Sequence, residues 1–209
     1  LHLSVSSRSY RTTKLNSWVE AVLDGDANLA SEIAGGMSNF PLAVSRDLDQ
    51  CRKWLRDHSR GLRTSGLVAT SGARRLRPYG IDVTLRLETV DWFLRDKDDV
   101  RSSDYLELAA TEFDIQGLEL DWVGLCWGAD VRYDNGEWLL KQFRGTKWTN
   151  INRPDAQLYA RNKYRVLLTR AREGLIIWVP PGSVSDPTRS PDLYDSTFDF
   201  LVNAGMERI

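Results

Sequence analysis

Two arginines, Arg170 and Arg172, close the helix-like run of YRVLLTRAREGLIIWVP (residues 164–180), and a strand-like run follows at once. A guanidinium is a planar fork of N–H donors that matches phosphate oxygens and does not belong in a core. If residues 164–173 are helical, Tyr164, Leu167, Leu168 and Ala171 share the face that must be buried. Arg170 then falls on one flank of that face, with Arg165 and Arg172 on the other. With the next strand running inward from Gly174, Arg170 stands at a sheet edge. There it can reach a phosphate or a neighbouring domain, or make an ordinary surface salt bridge.

Three further stretches carry residue types that could do chemistry. In TEFDIQGLELDWVGL, Gly117 permits a tight turn or a close backbone approach to a ligand, and Thr111, Gln116 and Glu119 gather polar groups around it. Glu112, Asp114, Glu119 and Asp121 would suit a hard cation if they converged. Strand alternation brings Glu112 and Asp114 to one face only if the strand continues through DIQG, and Gly117 argues against that, so no metal site is expected. In SSRSYRTTKLNSWVEAVL, Arg8 and Arg11 follow a strand-like stretch and precede a helix, a junction that suits phosphate. SGARRLRPYG adds Arg74, Arg75 and Arg77, the one dense basic cluster, which is either a solvated face or a contact to a nucleic-acid backbone. Neither His2 nor His58 has a Ser or Cys partner in a motif. There is no G-x-x-x-x-G-K-[ST] and no G-x-G-x-x-G, so the chain cannot by itself cradle a triphosphate in either standard way.

Strands alternating with amphipathic helices must position these residues. HLSVSS alternates like a strand, and Leu15, Trp18, Val19, Val22 and Leu23 then mark one helical face, with Thr12 or Thr13 as cap and DGD as stop. PLAVS reads as a strand, and the helix after Asp47 carries Leu48, Cys51, Trp54 and Leu55 inward; GLVATS is a third strand. Residues 72–107 read as a short helix and polar loops. LELAATEF and LDWVGLCWG are strand candidates separated by DIQG, and Asn135-Gly136 in VRYDNGEWLL signals a hairpin near 131–140. A helix over 155–173, a buried strand in GLIIWVPPG, a polar loop at 183–192 and a helix marked by Tyr194, Thr197, Phe198 and Leu201 complete one α/β domain over 1–209. Such alternation predicts a parallel sheet covered on both faces.

Composition narrows the classes. The chain has 209 residues, 42% of them hydrophobic and 27% charged, enough for one good core. A formal charge of -1 leaves no global basic field, so nucleic acid would have to be held by local patches. Cys51 and Cys126 lie far apart among apolar neighbours and read as buried free thiols of a reducing cytoplasm. No apolar run approaches a membrane span, and no signal pattern precedes the first strand, so a soluble, cytoplasmic protein is expected. A chain opening at Leu1 without Met suggests a piece of something longer.

Taken in order, these stretches resemble the second RecA-like half of a superfamily 1 helicase. SYRTT resembles its motif IV, TEFDIQGLEL its motif V, and YRVLLTRAR followed by a strand its motif VI. A closer resemblance is to the Schlafen group 3-like DNA/RNA helicase domain, a bacterial family. QGLELDWVGLCWGADVRY, YRVLLTRAREGLIIWVP and DPTRSPDLYDSTFDFLVNAG carry it, over most of residues 1–209 and most weakly over 25–60. The resemblance implies a RecA-like (P-loop NTPase-type) parallel sheet flanked by helices, with the hairpin added. It also implies an ATP and Mg²⁺ site completed by an N-terminal RecA-like domain that carries the P-loop, and single-stranded DNA or RNA as partner.

By the same resemblance, Arg170 would be an arginine finger reaching the γ-phosphate, and Arg11 a second phosphate contact, with Arg8 in its place if the register shifts. Gly117 and Glu119 would approach the nucleotide, and Gln116 and Thr111 would link that site to the strand; from their basic cluster alone, and not from the resemblance, Arg74 and Arg75 are the expected nucleic-acid contacts. Gln116 and Phe113 stand where the best-known members carry Lys and His, so unwinding, as distinct from translocation or switching, does not carry over. The competing expectation is a non-catalytic nucleic-acid or protein binding module on the same fold, which exposed tryptophans among Trp127, Trp138 and Trp148 would favour.

Overall fold

The computed structural model of the protein describes residues 7–209, with side chains in the first helix from residue 13 onward. The strand expected over HLSVSS lies outside the described residues except for Ser7, which opens helix α1 (Ser7–Asp24). The expected cap at Thr12 or Thr13 is corrected here, because the helix begins at Ser7 and both positions lie inside it. Its apolar face is as the spacing predicts: Leu15, Trp18, Val19, Val22 and Leu23 are all buried, and the Trp18 indole donates to the Ala204 carbonyl at 3.0 Å. Asp26 then caps α2 (Ala27–Gly35), an element the sequence reading did not mark.

Strand β1 (Leu42–Ser45) leads to α3 (Leu48–His58), where Asp47 accepts from the amides of Asp49 and Gln50 at 2.8 and 3.2 Å. Such a cap contributes about 1 kcal/mol. Cys51 and Leu55 are buried on its inner face, with Leu48 and Trp54 packed beside them. After β2 (Ser65–Ala69), residues 72–107 form two 3-10 helices (Arg74–Tyr79 and Ser103–Tyr105), a short helix α4 (Thr89–Leu94) and loops.

The strand expected in LELAATEF shrinks to β3 (Ala109–Ala110). The cause is local competition. The Thr111 amide and hydroxyl both donate to Asp114 Oδ2, at 2.8 and 2.6 Å, and close a turn where the ladder would have continued. Strand β4 (Leu120–Cys126) follows. The hairpin of β5 (Val131–Asp134) and β6 (Glu137–Arg144) turns at Asn135 and Gly136, which have φ of 48° and 90° as a tight hairpin turn requires. A further strand, β7 (Lys147–Asn150), pairs with β6 and makes a separate three-stranded sheet.

Helix α5 (Pro154–Leu168) stops five residues before the expected end, and β8 (Ala171–Trp178) begins at once. The Thr169 hydroxyl donates back to the carbonyls of Arg165 and Val166, and Leu120 donates its amide to the Arg170 carbonyl at 3.0 Å. Pairing with β4 therefore takes the backbone that helical periodicity would have claimed. Helix α6 (Asp195–Asn203) and β9 (Glu207–Arg208) complete the chain, with Thr197, Phe198 and Leu201 buried.

The main sheet has the order β3-β2-β4-β8-β1-β9, and every pair is parallel. Alternate residues feed two cores. Val44, Val68, Leu125 and Ile177 pack with α1 and α5, while Ala43, Leu67, Ala69 and Ile176 pack with α3. Gly124 is required for the second contact, since a Cβ there would lie 2.8 Å from both Leu55 and Leu67. The result is a RecA-like α/β domain with a parallel sheet flanked by helices.

Cys51 and Cys126 are free and buried in the α3-side core. Burial pushes both thiols up, Cys126 to about 12 and Cys51 well above the ordinary range, where the neighbouring Cys126 adds to the effect. A thiolate would form only above those values, so neither cysteine is expected to react with a thiol-selective disulfide reagent at pH 8 until the chain is unfolded. One equivalent of rapid reaction in the native protein, followed by absorbance, would contradict this packing.

Among the described residues, no helix is long and apolar enough to cross a membrane.

Candidate functional site

Parallel strands begin together at one edge of a sheet and end together at the other, and the chemistry-bearing residues divide between these two edges. Leu120 of β4 is in register with Ala171 of β8, which brings the segment before β4 against the connection between α5 and β8. Gly117 turns that segment with φ of 80°, and nothing lies within 4 Å of where a Cβ would sit. The turn, rather than crowding, is therefore what asks for glycine. Gln116 is exposed on the same turn.

Arg170 is half-buried at this edge. Its Nε donates to the Val166 carbonyl at 2.9 Å and its Nη1 to the Leu118 carbonyl at 3.3 Å. Among the described residues it makes no ion pair with a carboxylate, so its charge is held in place without being cancelled. Arg172 lies on β8 rather than on a helix, and it pairs with Glu119 at 2.7 Å. The two arginines thus differ in kind. Helix α1 carries the backbone of Arg8 and Arg11, which correct the expected strand-to-helix junction by lying within the helix; their side chains are outside the described set.

Thr111 sits at the opposite edge. It follows Ala110, which pairs with Val68 near the end of β2. Strand rise puts Thr111 and Glu119 roughly 20 Å apart along the strand direction. Thr111 is buried, and its hydroxyl is taken by Asp114. Glu112 is also buried: its carboxylate accepts from the Ser71 amide at 2.8 Å and hydroxyl at 2.6 Å, and pairs with Lys163 of α5 at 3.3 Å. Asp121 accepts from the Thr64 amide at 2.8 Å. The four carboxylates weighed as a metal set are therefore dispersed among separate partners. Among the described residues no group of three His, Cys, Asp or Glu side chains could hold a metal ion.

At this second edge a cleft of about 540 Å³ opens between the loop after β2, the end of β6 and the first half of α5. Arg74 is exposed on its wall. Arg75 turns away, pairing with Asp186 at 2.6 Å and lying 5.1 Å from the Phe143 ring centre. The structure therefore brings Arg170, Gly117 and Glu119 together at one edge, Arg74 and Thr111 near the other, and commits Arg75 to holding the small sheet against the 183–190 loop.

Sequence reading missed the cleft's floor. Asp130 is 5% exposed, and accepts from the Thr70 hydroxyl at 2.6 Å and the Tyr164 hydroxyl at 2.8 Å. Burial raises its pKa against those hydrogen bonds, and the Tyr164 hydroxyl is pushed up by burial and by the carboxylate beside it. An aspartate set between Ala129 and Val131 in an apolar run was the available signal. The tryptophans weighed as binding platforms face inward. Trp127 and Trp138 are buried, and half-buried Trp148 donates to the Thr188 carbonyl at 2.9 Å.

The parallel sheet flanked by helices places the molecule among RecA-like α/β domains. Residues 1–181 match the family described as Schlafen group 3, DNA/RNA helicase domain, and the chain belongs to that family. No curated protein and no solved structure matches the chain at a significant level.

Proposed function

We propose that this chain is the C-terminal RecA-like domain of an ATP-dependent DNA or RNA helicase or translocase, completing a nucleotide site whose P-loop lies in an N-terminal RecA-like domain. Arg170 carries this reading: it is a half-buried guanidinium at a sheet edge, oriented by two backbone carbonyls and, among the described residues, left without a carboxylate. These residues fit the phosphate end of a nucleotide, where Arg170 would act as the finger and Gly117 and Glu119 would border the ligand. Arg11, or Arg8 in the other register, would add a second cation. The residues do not fit Mg²⁺, so that ion is assigned to the P-loop domain. Bound ATP would supply the phosphoryl group; this chain's part is to place positive charge beside it and to exclude water as the two domains close.

The fold itself is compatible with a non-catalytic binding module, but no tryptophan is displayed to support one. Phosphate release discriminates the two. A polypeptide joining this chain to the P-loop domain is expected to turn over ATP faster when single-stranded nucleic acid is added, and the chain alone is expected to release none. Turnover by the pure chain would sink the proposal.

A further inference from the structure

The cleft at the C-terminal edge is built on three elements distant in sequence, and its charge is one-sided. Its lining includes five cations, Arg74, Lys141, Arg144, Arg153 and Lys163, against one carboxylate, Asp130. The whole chain carries a formal charge of -1, so this is a local concentration of positive field. Asp130 lies on the floor of the cleft, 5% exposed, with its oxygens turned to the Thr70 and Tyr164 hydroxyls, and one carboxylate leaves the five cations in excess.

Two of the five cations have acidic partners. Lys163 pairs with Glu112 at 3.3 Å, and Arg153 pairs with Asp155 at 2.6 Å on the exposed rim. Among the described residues, Arg74, Lys141 and Arg144 pair with no carboxylate. Lys141 is half-buried and hydrogen-bonded to Asn150; burial and then the charge of Arg132 lower its pKa, against a smaller opposing effect of Asp134. Tyr159 adds an aromatic face. It is 48% exposed on the cleft wall, with Lys163 Nζ 4.9 Å from its ring centre.

Unpaired cations beside a half-exposed aromatic ring are the combination that holds a sugar-phosphate backbone and stacks an unpaired base. We infer that this cleft binds a single nucleic-acid strand, with Arg74, Lys141 and Arg144 on its phosphates and Tyr159 stacked on a base. The inference rests on the helicase reading for the class of ligand, and on the cleft for its place. The small β5–β7 sheet thereby acquires a function: it supplies Lys141 and Arg144.

Fluorescence anisotropy of the full 209-residue chain with short labelled oligo(dT) and oligo(U), at several salt concentrations and without nucleotide, tests this directly. The double variant Lys141→Glu/Arg144→Glu is expected to weaken binding and to flatten the logarithmic salt dependence by about 1.4, roughly 0.7 for each lost contact. Tyr159→Ala should weaken binding about 5- to 150-fold, corresponding to about 1–3 kcal/mol per stacked base, and Tyr159→Phe should keep the affinity. Lys53→Glu, a single charge reversal on α3 across the sheet, should leave it unchanged. Lys141→Gln gives a milder variant should the reversal disturb folding. Unaltered binding in the cleft variants, or no binding by the wild-type chain, overturns the inference even where the joined polypeptide hydrolyses ATP. Equal competition by polyglutamate with no effect of Tyr159→Ala also overturns it, leaving a general anion surface. Strand binding with the expected pattern alongside absent ATP turnover would uphold the cleft and remove the helicase reading instead.

Discussion

Arg170→Ala is expected to lower strand-stimulated ATP turnover of the joined two-domain polypeptide by roughly 10³- to 10⁵-fold while ATP still binds. The size of the effect is that of an arginine finger on a developing phosphoryl charge, the role proposed for Arg170, and the choice of residue follows from the surroundings. Arg172 has the same chemistry two positions away, but Glu119 neutralises it at 2.7 Å. That pair is about half exposed on each side, so Arg172→Ala removes a surface interaction of about 0–1 kcal/mol and should cost far less turnover.

Arg170→Lys should not rescue Arg170→Ala. The guanidinium reaches the Val166 and Leu118 carbonyls through two different nitrogens and keeps further donors for a ligand, a division that one ammonium cannot reproduce. Phosphate release and the binding of a fluorescent nucleotide should be measured side by side, with thermal unfolding to show that the lost carbonyl contacts leave the fold intact. Turnover equal to wild type in Arg170→Ala would make this arginine a structural residue.

Trp127→Ala is expected to destabilise the domain by about 3–5 kcal/mol, which lowers the unfolding midpoint by about 6–20 °C for a chain of this size. Trp127 is completely buried where the main sheet meets the small one. Its ring lies 5.4 Å from Trp138 and 4.3 Å from Tyr164, and its indole donates to the Val131 carbonyl at 2.7 Å. Truncation removes the ring, leaves a cavity and orphans a buried acceptor in one step. Because Tyr164 also holds Asp130, the loss should spread to the floor of the cleft. A midpoint shift of a degree or two would show that the small sheet docks by other means.

Much of this architecture was legible in the sequence where the signal was local. The apolar spacing from Leu15 to Leu23 defines a helix face, and Asn135-Gly136 defines a turn, whatever the rest of the chain does. The junction at Arg170 was legible only in part. Ala171 continues the helical period of Tyr164, Leu167 and Leu168, and only the pairing of Leu120 with Ala171, from a strand about 50 residues earlier, decides that the helix ends first. Strand β7 was silent because Lys147-Trp148-Thr149-Asn150 has no apolar alternation.

The cleft could not be read at all in one dimension. Lys141, Arg144 and Lys163 are each ordinary in their own neighbourhoods, and only the packing of α5 on β6 places them around a common space. Arg74 and Arg75 show the converse. They are adjacent and identical in type, yet one is exposed on the cleft wall while the other is committed to Asp186.

Helix α5 has a mechanical consequence. Its 15 residues form a rod of about 22 Å that starts beside the cleft and ends three residues before Ala171. Lys163 and Arg170 are seven positions apart on this rod and its short extension. An α-helix resists compression along its axis, so the cleft and the edge that bears Arg170 are joined by a stiff strut. At its far end that strut meets the sheet directly, because the Arg170 carbonyl is already held by the Leu120 amide of β4.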